Sequence, residues 1–335
     1  GVSIVDTLRG QGGLITAEAS SGGGGAGANN TVSLPGGGGE YVAGQRDMYR
    51  YLHDQTLRLM SHGLTPREIG EHLMMPTALS RQWFARGYYG ALRHNVKAVY
   101  QHYLGWYDAN PANLDPLPPV DAAKRYVALA GGVDKLVASA QQAYDAGDFR
   151  WSAELLKHAV YAAPSNKPAK DLLAKSFEQM GYMAESSAWR NAYLTGALEL
   201  RQGPPEKGMA RDALLDMLQH TPIERFLEAM AASLNGPKAG DLNLGVNLVF
   251  SDLGESYVLR ITHGVLHFRK APPATDANAT LTLTKAFFLR MVTGGAGAKD
   301  LLLSDQTRID GSKLDLARFF SLIEKAPGTF PIVTR

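Results

Sequence analysis

The hydrophobic period changes along this chain, and that change restricts its fold more than any other feature. From Gln45 to about Leu200 apolar residues return at helical spacing: Met48, Leu52, Leu59 and Met60 share a face that Arg46, Arg50 and Asp54 avoid. Beyond Gln202-Gly203-Pro204-Pro205 a helix is expected over Met209 to Asn235, and then the period drops to two. Leu242, Leu244, Val246, Leu248 and Phe250 point to one side of a strand. Tyr257, Leu259 and Ile261 repeat the alternation, followed by Leu266 with Phe268 and by Leu281 with Leu283. Turn signals separate these runs at Asp252-Leu253-Gly254, His263-Gly264 and Pro272-Pro273. Two amphipathic helices follow, about Lys285 to Val292 and Ser312 to Glu324. The expectation is a mixed chain: an all-α region, then an α+β layer with helices on one face of an antiparallel sheet.

Residues 1–44 have another texture, holding 14 of the 36 glycines with four-residue runs at Gly22 to Gly25 and Gly36 to Gly39. Glycine loses the most backbone entropy on ordering, so this segment reads as irregular linker. Three regions result: the glycine-rich 1–44, a helical 45–203 and an α+β 204–335.

Within the helical region, His62-Gly63 ends one helix, and Thr65-Pro66-Arg67-Glu68 begins another with a capping box and proline in the first turn. Further helices are expected through Trp83 and from His94 to Tyr107, before the chain leaves helix at Asn110-Pro111. Gly147 and Gly181 lie 34 residues apart, each following an aromatic-bearing helix. That is the tetratricopeptide period, although an ordinary helical bundle would fit the same residues. Each such helix pair leaves an apolar face for a neighbouring pair or a second subunit to cover.

Composition excludes several function classes. Lys and Arg number 34 against 32 Asp and Glu, and no basic run interrupts the mixture, so no nucleic-acid partner is expected. There is no cysteine, hence no disulfide, thiolate metal site or Cys nucleophile; the compartment stays open. No apolar stretch nears the roughly 18 residues that would form a transmembrane segment. The start at Gly1 shows no signal-peptide pattern, which leaves export undecided.

Among the nine histidines no His-Glu-x-x-His or His-x-His-x-Asp-His cluster occurs, and His94 with His102 or His263 with His267 read better as surface or hydrogen-bonded core residues. A Gly-x-Ser-x-Gly elbow and a P-loop are both absent. The densest polar and aromatic stretch is Gln45 to Asn113, with Arg46, Arg50, His53, Arg58, Tyr88, Tyr89 and Arg93. Arginine presents a planar fork suited to sulfate or phosphate, and tyrosine can protonate a leaving oxygen, so this stretch is a candidate anion site against a solvated helical surface.

Longer strings add a resemblance. QRDMYRYLHDQTLRLMSHGLTP (Gln45 to Pro66) and GYYGALRHNVKAVYQHYLGWYDANPANL (Gly87 to Leu114) resemble bacterial alkyl sulfatases of the metallo-β-lactamase type. YDAGDFRWSAELL (Tyr144 to Leu156) and WRNAYLTGALELR (Trp189 to Arg201) resemble their dimerisation domain, and the last 130 or so residues their sterol-carrier-like C-terminal domain. The resemblance implies hydrolysis of alkyl sulfate esters such as dodecyl sulfate, a homodimer, and an apolar surface for an alkyl sulfate or fatty alcohol-like ligand. It places Arg58 against the sulfate, makes Tyr89 a proton donor to the leaving group, and includes His94 in the same motif. It also implies two zinc ions on a metal-binding domain, whose Thr-His-x-His-x-Asp-His motif and His-His-Trp-Pro segment do not occur here, which leaves residues 1–44 as an irregular segment or a remnant of that domain. The chain is therefore expected to bind no zinc and to be inactive alone. The alternatives are a non-catalytic dimeric lipid-binding module and a tetratricopeptide-like adaptor.

Overall fold

The computed structural model describes residues 38–206, 215–297, 300–301, 304, 306–326 and 328–334. Two compact units emerge, one reaching to Gly203 and taking in Pro331–Arg335, the other spanning Pro204–Phe330.

The helical unit starts earlier than its sequence suggests. Helix α1 (Gly38–Ser61) begins inside the second glycine run, so the expected irregular segment overlaps it. Tertiary packing overrides the poor helix propensity of glycine. Tyr41 meets the Phe84 ring edge-on at 5.1 Å and stacks on Trp83 at 6.1 Å, while Gln45 Nε2 donates to Phe84 O at 2.8 Å. Gly44 is needed there, because a Cβ would lie 2.6 Å from the Phe84 ring. Helix α2 (Pro66–His72) opens with the expected capping box between Thr65 and Glu68. A short α3 (Thr77–Ser80), a 3-10 turn (Trp83–Ala85) and α4 (Leu92–Leu104) follow. Leu52, Ile69, Leu73, Val96 and Tyr100 form the core shared by α1, α2 and α4.

Five helices then pack in succession: α5 (Pro119–Leu129), α6 (Val133–Asp145), α7 (Phe149–Ala162), α8 (Lys167–Met183) and α9 (Ser187–Gln202). Side-chain caps from Asp148, Asn166 and Ser186 open the last three. Their core is rich in small residues, with Ala140, Ala159, Ala169 and Ala197 beside Leu156, Val160 and Leu173. The two glycines that set the 34-residue period do different jobs. Gly147 closes the α6–α7 turn at φ +80°, whereas Gly181 is buried inside α8, where a Cβ would lie 2.9 Å from Leu194. The expected helix end at Gly181 is thus a close contact between helices.

The end of the chain returns to this unit. Glu199, 8% exposed on α9, accepts hydrogen bonds at Oε1 from the backbone N–H of Ile332 (2.8 Å) and Val333 (2.9 Å). Val333 packs on the same core, near Gly196 and Phe177.

In the second unit the single helix expected over Met209 to Asn235 is two, α10 (Leu215–His220) and α11 (Ile223–Ala232); the start of that span lies outside the described residues. Pro222, at φ −60° and ψ 148°, lacks the N–H that a continuous helix would need there and accounts for the break. After α12 (Gly236–Ala239) come β1 (Leu244–Phe250), β2 (Glu255–Thr262), β3 (Val265–Lys270) and β4 (Ala279–Leu283), then α13 (Lys285–Thr293), β5 (Thr307–Gly311) and α14 (Lys313–Ser321). Sheet order is β3-β2-β1-β4-β5. The expected all-antiparallel sheet is corrected at its centre, where β1 and β4 run parallel with Val246 opposite Ala279. β4 arrives from the same end as β1 after the chain crosses Pro272-Pro273. The β2–β3 hairpin turns through His263 and Gly264, at φ 53° and 71°, the pair of left-handed residues a tight hairpin requires. Phe250, Tyr257, Phe287 and Phe319 are fully buried in the core.

β1 is buried on both faces. On the face away from the aromatic core Asn247, 1% exposed, donates from Nδ2 to Ala274 O (3.0 Å) and Thr280 Oγ1 (2.9 Å) and accepts from Ala274 N (2.9 Å). Both the amide nitrogen and the amide oxygen are thus bonded, to the 271–278 loop and to β4, as burial requires.

Candidate functional site

The Gly87-Tyr88-Tyr89-Gly90 turn is shaped by its glycines. A Cβ on Gly87 would lie 2.9 Å from Gly90 O, and one on Gly90 would lie 3.1 Å from Asn95 Nδ2. The first residues of α9 clamp this turn from the other side. Ser186 Oγ donates to Tyr89 O at 2.6 Å and Ser187 N donates to Tyr88 O at 2.8 Å. Arg86 Nε adds a 2.5 Å bond to Glu185 Oε1. With the backbone held, both tyrosine rings lie at the surface, Tyr88 50% and Tyr89 80% exposed.

His94 lies in the first turn of α4, against Trp189 of α9. Trp189 Nε1 donates to His94 Nδ1 at 3.3 Å, with the rings 6.2 Å apart at 74°. An imidazole that accepts at Nδ1 carries its proton on Nε2 when neutral. Tyr89 and His94 are thus positioned by one helix start. Arg58 is apart from them, exposed in the last turn of α1, where Nε donates to Gln55 Oε1 at 2.7 Å.

Three residues of the candidate anion stretch join Tyr103, which the sequence does not single out. His53 Nε2 lies 2.8 Å from Tyr103 OH, His53 Nδ1 lies 2.8 Å from Asp54 Oδ1, and Arg50 Nε donates to Asp54 Oδ2 at 2.6 Å. The hydrogen bond from His53, then that from Arg50, holds the Asp54 carboxyl below its ordinary range. Adjacent His-Asp was visible in the sequence; Tyr103, fifty residues on, was not linkable without the fold.

Among the described residues no group of three or more His, Asp or Glu side chains is arranged to hold a metal ion, and the chain has no cysteine. The described residues alone do not present a ligand set that fits a zinc pair.

Comparison with known families decides the relationship. Residues 65–203 match the family described as alkyl sulfatase dimerisation, and residues 212–335 match alkyl sulfatase C-terminal. The chain carries these two alkyl sulfatase domains. An alkyl/aryl-sulfatase of Saccharomyces cerevisiae, BDS1, is 43% identical over 88% of this chain and 45% of its own length. A linear primary-alkylsulfatase of Pseudomonas sp. is 42% identical over 88% of the chain and 44% of its own. The solved stereoselective inverting sec-alkylsulfatase Pisa1 from Pseudomonas sp. matches with a TM-score of 0.81 and 39% identity, over 88% of this chain and 46% of that one. The chain spans about half the length of the curated relatives it matches. Among the described residues no helix is long and apolar enough to cross a membrane.

Proposed function

We propose that this chain is the dimerisation and C-terminal part of an enzyme that hydrolyses alkyl sulfate esters to an alcohol and sulfate. The observation carrying this reading is the match of two successive alkyl sulfatase domains, 65–203 and 212–335, alongside 42% identity to a linear primary-alkylsulfatase. In this reading the Arg58 guanidinium binds the ester's sulfate oxygens, and Tyr89 OH hands its proton to the leaving alkoxide oxygen. The clamp by Ser186 and Ser187 supports the tyrosine's role, because it fixes the phenol from the backbone without occupying it. His94 is a positioning residue, packed against the same helix through Trp189. Any metal chemistry resides in sequence other than these described residues.

The helical unit is read as a tetratricopeptide-like homodimerisation module, supported by the short-turn succession from α6 to α9 and by the description of the matched domain. The second unit is read as a sterol-carrier-like layer for the alkyl chain, supported by its five-stranded sheet and helices. The test is complementation. The 335-residue chain should release no sulfate from dodecyl sulfate alone, and should do so when joined to the N-terminal half of a linear primary-alkylsulfatase. In the joined protein Tyr89→Phe should lower kcat and Arg58→Ala should raise KM. Hydrolysis by the chain alone, or a joined protein indifferent to both substitutions, would overturn this reading. The second reading, a non-catalytic dimeric lipid-binding module, draws on the lack of a three-ligand cluster among the described residues, and the same assay separates the two.

A further inference from the structure

A cleft of about 720 Å³ opens within the helical unit, lined by Arg67, His72, Arg93, Lys97, Arg150 and Lys157. Three carboxylates, Glu68, Glu71 and Glu154, share the lining, and their bonding decides what charge the cleft presents. Glu71 is consumed by two guanidiniums: Arg150 Nη2 reaches Oε1 at 2.9 Å and Arg93 Nη2 reaches Oε2 at 3.0 Å. The Arg150 hydrogen bond is the main cause holding the Glu71 carboxyl below its ordinary range. Glu68 turns back on its own helix start, accepting from Thr65 N at 2.8 Å and Thr65 Oγ1 at 2.7 Å. Among the described residues Arg67, Lys97, Lys157 and Glu154 enter no ion pair; with five arginines and lysines against three carboxylates, the cleft keeps a net positive charge.

The rest of the lining is apolar. Leu173, 1% exposed, joins Phe177, Val333 and Ile332, with Val333 fixed in place by the Glu199 hydrogen bond. A solvated ionic surface would need no such lining, and a site for a bare inorganic anion would gain nothing from it. The volume lies within the range of about 300–1,000 Å³ that small-molecule sites occupy. None of Arg58, Tyr89 and His94 lines the cleft.

We propose that this cleft binds a single-chain anionic amphiphile, an alkyl sulfate or alkyl phosphate. Its tetrahedral headgroup sits among Arg67, Lys97 and Lys157, and its tail lies against Leu173, Phe177 and Val333. The site shares a ligand class with the proposed function but requires neither a metal nor turnover.

Calorimetric titration of the 335-residue chain with octyl sulfate, below its micelle concentration, tests this. Saturable one-to-one binding is expected, weakening with added salt. The Lys97→Gln/Lys157→Gln double variant should weaken it by about tenfold or more, the worth of one charge-assisted contact. Glu71→Gln should tighten it, because Arg93 and Arg150 are then left uncompensated. A loss of folding would not produce that gain. Octyl glucoside, with the same tail and no charge, and inorganic sulfate, the head alone, should both bind at least about tenfold more weakly. Octyl sulfate affinity unmoved by the double variant, or matched by either control, overturns the proposal. So does a lack of saturable binding. If binding fails while the joined protein still hydrolyses dodecyl sulfate, this cleft falls and the proposed function stands.

Discussion

Replacing Glu199 by alanine should free the end of the chain from the helical unit. The carboxylate is nearly inaccessible and holds two backbone N–H groups on one oxygen, Ile332 at 2.8 Å and Val333 at 2.9 Å. Hydrogen bonds to a charged acceptor contribute about 1.5–3 kcal/mol each, and two sharing one oxygen fall at the low end, giving about 3 kcal/mol together. The loss stops there, because a released terminal segment reaches water and no N–H is left buried and unpaired. At about 2–4 °C per kcal/mol for a unit of this size, Tm of the helical unit should drop by about 6–12 °C. Glu199→Gln keeps the acceptor oxygen but not its charge, so about half that loss is expected. Amide hydrogen exchange at Ile332 and Val333 reads the detachment directly, alongside calorimetric unfolding. Unchanged exchange at both amides with Tm within about 1 °C of the parent would refute the reasoning.

Gly44→Val should destabilise α1 by about 1–3 kcal/mol, since its Cβ would fall 2.6 Å from the Phe84 ring; chemical denaturation of the helical unit checks this. Asn247→Leu should destabilise the second unit by about 1–3 kcal/mol, stranding the Ala274 N–H while Ala274 O keeps only its longer bond from Ala277 N, as urea unfolding would show. The Glu224 and Glu255 carboxyls both lie below their ordinary value, Glu224 chiefly through a backbone hydrogen bond and Glu255 chiefly through Lys270, and the single proton of Tyr257 OH is shared between them, 2.8 Å from each. A depressed carboxyl contributes stability above its unfolded pKa of about 4.3 and loses it as pH falls through the folded value. Tyr257→Phe should therefore be less stable than the parent at pH 7, with the gap narrowing toward pH 3; parallel Tm curves across that range would contradict it.

How far the residues speak for themselves varies by element. Strands β1 to β4 are legible because alternate apolar residues face one buried side, which is a local property. Strand β5 is not: in Thr307–Gly311 only Ile309 is a large apolar residue, and the strand exists because β4 offers it a ladder. The parallel β1–β4 pairing was hidden for a related reason, as partners such as Val246 and Ala279 lie far apart in sequence. The early start of α1 depends on Trp83 and Phe84, which no window around Gly38 contains. Arg58, Tyr89 and His94 came from resemblance, not from their own spacing. The structure joins two of them through α9 and leaves Arg58 on α1. The basic cleft draws its cations from α2, α4 and α7, so it forms no run in the sequence.

The sheet order places β3 and β5 on the outside, and each outer strand is ill suited as a template for another molecule. β3 ends in exposed Arg269 and Lys270; β5 spans five residues, exposes Arg308 and Asp310, and finishes at Gly311 with φ 90°. Charge and shortness of this kind discourage edge-to-edge growth. At high concentration this unit should therefore resist fibril seeding, even though its central strand is among the most apolar segments of the chain.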